Sequence, residues 1–252
     1  MTSWSHRRKS SYAIVVIAIV LVAVTSIAFL FFYKTPTCFD GIQNGGEGGI
    51  DCGGRCSRLC QSSFLPPSVT WTRFEKVAPG FYNVAAYIVN PNVEGTAFDA
   101  PYRFSLYDSK GILIVEREGV VTLPPHRNTL AFQAQVSVGQ REPVKAIFEF
   151  IEAGPNWQKA SDQLSSLVFD SGVYTEDQDS SSLSATLKNV GVQNLGRMSV
   201  YAVLKDAEGN AIGFSKTVID GIPAKSMVTA PFTWPFGRNG RVISQEVLPV
   251  AE

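Results

Sequence analysis

Histidine is nearly missing from this chain: His6 lies in the first ten residues, and His126 is the other one. A histidine base or metal ligand outside the N-terminal tail therefore has one place to stand. His126 follows Pro124-Pro125, which marks a surface loop rather than a site. No G-x-S-x-G elbow, H-E-x-x-H helix, P-loop or dinucleotide fingerprint occurs. Acidic residues are absent before Asp40, and cysteine is absent after Cys60. A clustered positive field is lacking as well. With Arg7, Arg8 and Lys9 set apart from the 22 basic residues, 19 remain against all 22 acidic ones, a net of about −3. Nucleic-acid binding needs basic clusters that displace counterions from phosphates, so that class is excluded.

What the chain does have is one long apolar run. Residues 12–33, opened by Tyr12 and closed by Tyr33, hold no charge and are rich in Val, Ile, Leu and Phe. Twenty-two residues rise about 33 Å as a helix, enough for a hydrocarbon core of about 30 Å. A cleaved signal peptide would have a shorter apolar region ending in small residues. This run instead leaves through Phe31-Phe32-Tyr33-Lys34, and it is read as an uncleaved transmembrane helix whose partner is the lipid bilayer. Three basic residues precede it and only Lys34 follows, so residues 1–11 are expected to be a cytoplasmic tail and the remainder extracytoplasmic.

All four cysteines, Cys38, Cys52, Cys56 and Cys60, fall in a glycine-rich segment at 38–60, too short to bury a core. Outside the cytoplasm an even set of close cysteines reads as two disulfides, with three pairings open. The spacing lacks the C-x2-C knuckles of structural zinc, which argues against a four-thiolate metal site. Asp40, Asn44, Glu47 and Asp51 place four oxygen-bearing side chains in this loop, and that set is a candidate calcium site. The competing reading is that these residues make turns through their own backbone hydrogen bonds. The run from Cys38 through Asp40, Gly41, Asn44, Gly45, Glu47, Gly49, Asp51 to Cys52-Gly-Gly-Arg-Cys56 resembles a short cysteine-rich repeat of bacterial surface proteins. Its last spacing, to Cys60, is one residue longer. The resemblance implies surface exposure and no particular activity.

After a linker at 61–67, strand-length runs with period-two alternation take over: Val84, Ala86 and Ile88, then Tyr102, Phe104 and Leu106. Such alternation predicts half-buried strands. The pattern recurs about 98 residues later, with Leu106, Asp108, Gly111, Ile114, Val120 and Pro125 meeting Leu204, Asp206, Gly209, Ile212, Val218 and Pro223. Upstream, Asn90 meets Asn189 at a shift of 99; near the ends, Val144 to Phe150 meets Val242 to Leu248. Asp108-Ser-Lys-Gly111 and Asp206-Ala-Glu-Gly209 read as hairpin turns. The expected fold is mainly β: the N-terminal transmembrane helix, a small disulfide-rich segment, and two tandem immunoglobulin-like sandwiches of about seven strands each, at 68–152 and 163–250. Phe104-Ser-Leu-Tyr-Asp108 is similar to the F-x-L-Y-D motif of a bacterial extracytoplasmic β-sandwich family. The Leu123-Pro-Pro125 and Thr129-Leu-Ala-Phe132 runs and the N-P-N turn at Asn90 are similar to it and to late embryogenesis abundant type 2 domains. These resemblances imply fold and cell-surface placement, and no catalytic site.

Carboxylate pairs exist, Glu116 with Glu118 on one strand and Glu176 with Asp179 in a loop, and both read as solvated surface. Of Trp71, Trp157 and Trp234, Trp157 lies between the two copies and is expected to lock the tandem geometry. The sequence thus points to a non-enzymatic, cofactor-free, single-pass envelope protein whose sandwiches meet a protein or surface partner. The alternatives are an accessory subunit of a membrane machine and, third, a carbohydrate-active enzyme.

Overall fold

The computed structural model describes residues 3–33, 35–151, 156–160 and 162–252, the side chains of residues 3–8 and 32 excepted. Lys34 and the side chains of His6, Arg7 and Arg8, on which the charge asymmetry rests, lie outside that description. The chain divides into two units, Met1–Arg55 and Cys56–Glu252. The first opens with helix α1, Ser3–Phe32. No break separates a tail from a span: the helix already runs through residues 3–11. Its stretch Lys9–Phe31 is long and apolar enough to cross a membrane, and none of that stretch is buried. A helix apolar on all sides and covered by no protein surface suits hydrocarbon, not water. Two hydroxyls, Thr25 and Ser26, lie mid-helix, and Thr25 donates back to the carbonyls of Leu21 (2.8 Å) and Val22 (3.0 Å), which satisfies it within the helix.

In the second unit, β1 (Ser68–Ala78), β2 (Phe81–Val89) and β5 (Asn128–Ser137) form one antiparallel sheet in the order β1-β2-β5. Strands β3 (Gly95–Tyr107), β4 (Leu113–Leu123) and β6 (Lys145–Phe150) form a second in the order β4-β3-β6, and β7 (Trp157–Lys159) pairs the start of β3. Val84, Ala86 and Ile88 face Tyr102, Phe104 and Leu106 across the core. This is an immunoglobulin-like sandwich. The second copy repeats it with β8 (Leu167–Glu176), β9 (Ser181–Asn189) and β12 (Met227–Trp234) in one sheet, and β10 (Met198–Lys205), β11 (Ala211–Ile219) and β13 (Ser244–Ala251) in the other. Among the described residues this copy comprises six strands.

The duplication is visible in its polar details. Asp108 and Asp206 each cap a hairpin turn, accepting from Lys110 and Ile112 in one copy and from Glu208 and Asn210 in the other. Gly111 (φ 74°) and Gly209 (φ 79°) close those turns in a conformation that favours glycine. Deeper in, the Asn90 amide donates to the carbonyls of Gly95 and Pro124, and Asn189 donates to those of Gln193, Ile222 and Pro223. These bonds correct the alignment at one point: Pro223 matches Pro124, not Pro125, so the shift returns to 99 after the second hairpin. Past it, the left-handed turn residues His126 (φ 50°) and Lys225 (φ 59°) are equivalent. In the closing strands Phe148 matches Val247, one place beyond the expected pairing, since Phe148 opposes Phe104 and Val247 opposes Ala202.

The sandwiches are not beads on a string. A third apolar cluster joins them, in which Ala85, Tyr87 and Leu130 of the β1-β2-β5 sheet pack on Tyr201, Val203, Phe214, Leu248 and Val250 of the β11-β10-β13 sheet. Four sheets therefore stack in one compact body, and β2 and β10 are covered on both faces rather than half-buried. Trp157 does not sit in this seam. It is buried in the first sandwich, against Phe64 at 4.9 Å, and the inter-sandwich tryptophan is Trp71, which packs on Tyr87 and Phe214. Nor is 61–67 a free linker. Leu59 N–H donates to Trp157 O (2.9 Å), Lys159 N–H to Ser57 O (2.7 Å), and Asn92 exchanges two hydrogen bonds with the Leu65 backbone, so the chain is docked from Ser57 onward.

Candidate functional site

Two places gather polar chemistry: the glycine-rich loop before Arg55 and the seam between the sandwiches. In the loop, all four cysteines are disulfide-bonded, which leaves no thiolate for a metal. Asp51, held at φ 53°, turns its carboxylate to the N–H groups of Asp40 (3.0 Å) and Gly41 (3.0 Å). The Asp40 carboxylate accepts from Thr37 N–H, Ile42 N–H and the Asn44 amide, at 3.0 to 3.1 Å. Glu47 accepts from the N–H of Asp51 (3.2 Å) and of Asn44 (3.4 Å). The four predicted residues thus do meet, yet every carboxylate oxygen in these contacts is turned to an N–H. The Asn44 amide oxygen is buried and has no hydrogen-bond partner among the described residues. Close packing dictates the glycines: a Cβ on Gly54 would fall 1.9 Å from Gly46 O.

The seam carries charge across an apolar contact. Arg238 pairs with Glu75 at 2.6 Å, both side chains 11% exposed, and Phe214 N–H donates to the same carboxylate at 3.4 Å. Burial pushes the Glu75 carboxyl up from the ordinary glutamate range, against the opposing pull of Arg238. Tyr87 donates to Glu246 (2.7 Å) and accepts from Asn128 (2.7 Å), while Lys205 closes on Glu246 at 2.7 Å. Burial first, then the Glu246 carboxylate, raises the Tyr87 hydroxyl far above its usual value, and burial pushes Tyr201 up to about 12. Such groups do not ionise near neutrality. They hold two sheets in register.

A cleft of about 580 Å³ opens at one end of the seam, lined among others by Phe81, Asn83, Gln135, Lys216 and Thr233. Asn83 spends its oxygen on the Gln135 N–H (3.0 Å), a bond that holds the left-handed backbone at Gln135 (φ 52°).

The other sequence candidates are dispersed. Glu118 pairs with Arg103 (2.6 Å), which also meets Glu149 (3.5 Å), and Glu116 accepts from Ser105. Glu176 accepts from Tyr174 O–H, Arg238 N–H and Gly240 N–H, and these bonds hold its pKa down; Asp177 is lowered by the N–H groups of Ser180 and Asp179. His126 is a turn residue whose N–H donates to Asn92 O (2.8 Å). Sequence reasoning missed the Glu75–Arg238 pair: its partners lie far apart in the chain, and neither stands in a motif.

No protein-family model matches this chain, and no curated protein does. Among solved structures it is similar to a Bacteroides uniformis β-glucuronidase, at 12% identity over 69% of this chain and 26% of that one, with a TM-score of 0.24. It is similar to a glycoside hydrolase family 2 β-glucuronidase at 7% identity, over 87% and 29%, TM-score 0.25. A red sea bream transglutaminase gives 11%, 73%, 31% and 0.21. The chain spans about a quarter to a third of the length of these proteins, and at those scores nothing is carried over from them.

Proposed function

We propose that the chain is a non-enzymatic, single-pass membrane protein with a cytoplasmic N-terminus, which displays the fused sandwich pair outside the cytoplasm to a protein or surface partner. The observation that carries this reading is the pairing of an uncovered apolar helix with a disulfide-bonded segment that begins six residues after it. The F-x-L-Y-D and cysteine-repeat resemblances support the same placement. The non-enzymatic part is supported by where the charges go: Glu75, Glu118 and Glu246 each hold a cation, and Glu176 holds a loop. Protease protection of the full chain in sealed membrane vesicles tests the topology. Digestion of the sandwiches from the cytoplasmic side, or free thiols at Cys38 to Cys60, would overturn it.

The accessory-subunit reading predicts a stable stoichiometric complex in mild detergent, whereas the display reading predicts a chain that purifies alone. Turnover of a glycan lost on changing Glu116 or Glu118 would make the protein an enzyme. For Asp40, Asn44, Glu47 and Asp51, the N–H bonds favour a structural clamp over a calcium site. Calcium at about 1 mM, the range in which extracellular modules bind it, is expected to leave the melting temperature unchanged, and a rise would assign the ion to this loop.

A further inference from the structure

The disulfide-bonded loop exposes more apolar surface than a soluble turn needs. Phe39 is 86% exposed, and Ile42 and Ile50 are each 62% exposed. Single exposed hydrophobics are ordinary, but these three are brought together. The Asp51 carboxylate binds the N–H groups of Asp40 and Gly41, and so ties the residue after Ile50 to the two residues between Phe39 and Ile42. All three apolar side chains thus spring from one clamp.

Their distance from the helix is limited by chain length. Phe39 is seven residues past Phe32, where α1 ends, and seven residues reach at most about 25 Å. The polar layer on each side of a bilayer is about 5–8 Å deep, so the clamp is confined to the neighbourhood of that layer at high effective concentration. Phe29 and Tyr33 stack at 4.7 Å at the helix exit, an aromatic pair suited to the same boundary. Charge narrows the lipid. Residues 35–55 hold Asp40, Glu47 and Asp51 against Arg55 alone, a net of −2, which disfavours an anionic surface and suits a zwitterionic one.

We propose that Phe39, Ile42 and Ile50 insert into the interfacial layer of the bilayer that α1 crosses, seating the disulfide-bonded loop on zwitterionic lipid. The inference rests on the anchor reading above, and its test separates the two. The full chain is reconstituted into phosphatidylcholine vesicles as Phe39→Trp, Ile50→Trp and the control Ser62→Trp, each measured against the parent chain. Flotation after an alkaline wash reports the anchor alone. With acyl chains brominated near the carbonyl, the emission added by Phe39→Trp and Ile50→Trp is expected to be largely lost, and that added by Ser62→Trp retained. A chain that floats while Phe39→Trp and Ile50→Trp are quenched no more than the control, and stay open to aqueous iodide, overturns the insertion and leaves the anchor standing. A chain that does not float removes the anchor and the insertion together. Intact disulfides by mass in each variant exclude misfolding as the cause.

Discussion

A buried amide with several acceptors is a stricter device than a buried methyl, and Asn90 and Asn189 are the two that this chain repeats. Each bridges the end of one sheet to a proline-containing turn of the other. Replacing either by alanine strands several buried carbonyls, and is expected to cost about 2–4 kcal/mol in denaturant unfolding. The pair Glu75–Arg238 poses a different test. Glu75→Ala leaves a buried guanidinium without its anion and should cost about 3–5 kcal/mol, with much smaller loss when Arg238 is removed as well. The sign of its pH dependence follows from the raised carboxyl. In the folded state Glu75 keeps its proton to higher pH than in the unfolded chain, so below the ordinary glutamate value both states are protonated and no penalty exists. As pH climbs from that value through the folded one, the unfolded state ionises first and stability falls. Urea unfolding across this window should show a decline that Glu75→Gln removes; an unchanged slope in that variant would place the titration elsewhere.

At the scale of elements, strands β2 and β10 distinguish this molecule from a plain tandem. Val203 points into the seam, where Val203→Ala is expected to cost about 1–3 kcal/mol. Its counterpart by repeat, Ser105, lies outside that seam on β3, buried and donating to Glu116, and Ser105→Ala should cost about 1 kcal/mol, the share of one hydroxyl hydrogen bond. The hairpins were legible from local chemistry, because Asp and Gly three residues apart fix a turn wherever it lies. Double burial was partly legible. The run Met198 to Leu204 holds no charge at all, a pattern of strands covered on both faces, but its period-two stripe of Met198, Val200, Ala202 and Leu204 drew the eye to one face. The loop oxygens could be seen to cluster, since glycine and Asx spacing is local. That they would turn to backbone N–H groups rather than outward depends on the disulfide-held path of the chain, which spacing does not encode. For Trp157, position between the copies was a misleading guide. The short strand it opens pairs with β3, so its ring goes to the first core.

At the scale of the whole molecule, the shared cluster joins both sandwiches in one unit, residues 56–252, which is expected to unfold cooperatively. Calorimetry should give a single transition for both sandwiches, with calorimetric and van't Hoff enthalpies in agreement; two resolved transitions would mean that the seam contributes little. The seam also has a direction. It joins the β1-β2-β5 sheet of one copy to the β11-β10-β13 sheet of the next, which are different sheets of the repeated unit. Contact of unlike faces is not self-complementary, so each unit of such geometry leaves one face open to a further unit. What stops it is a handful of exchanged side chains. Ala85 and Tyr87 in the seam have Ser184 and Thr186 as counterparts on the outer face of β9, and Tyr201 and Val203 have Arg103 and Ser105 on the outer face of β3. The duplicated domain is a two-unit solenoid with both ends capped by polarity. Restoring the seam residues at both ends, as R103Y, S105V, S184A and T186Y together, should make the chain grow into filaments with concentration, while the parent chain is expected to sediment as a single species beside it.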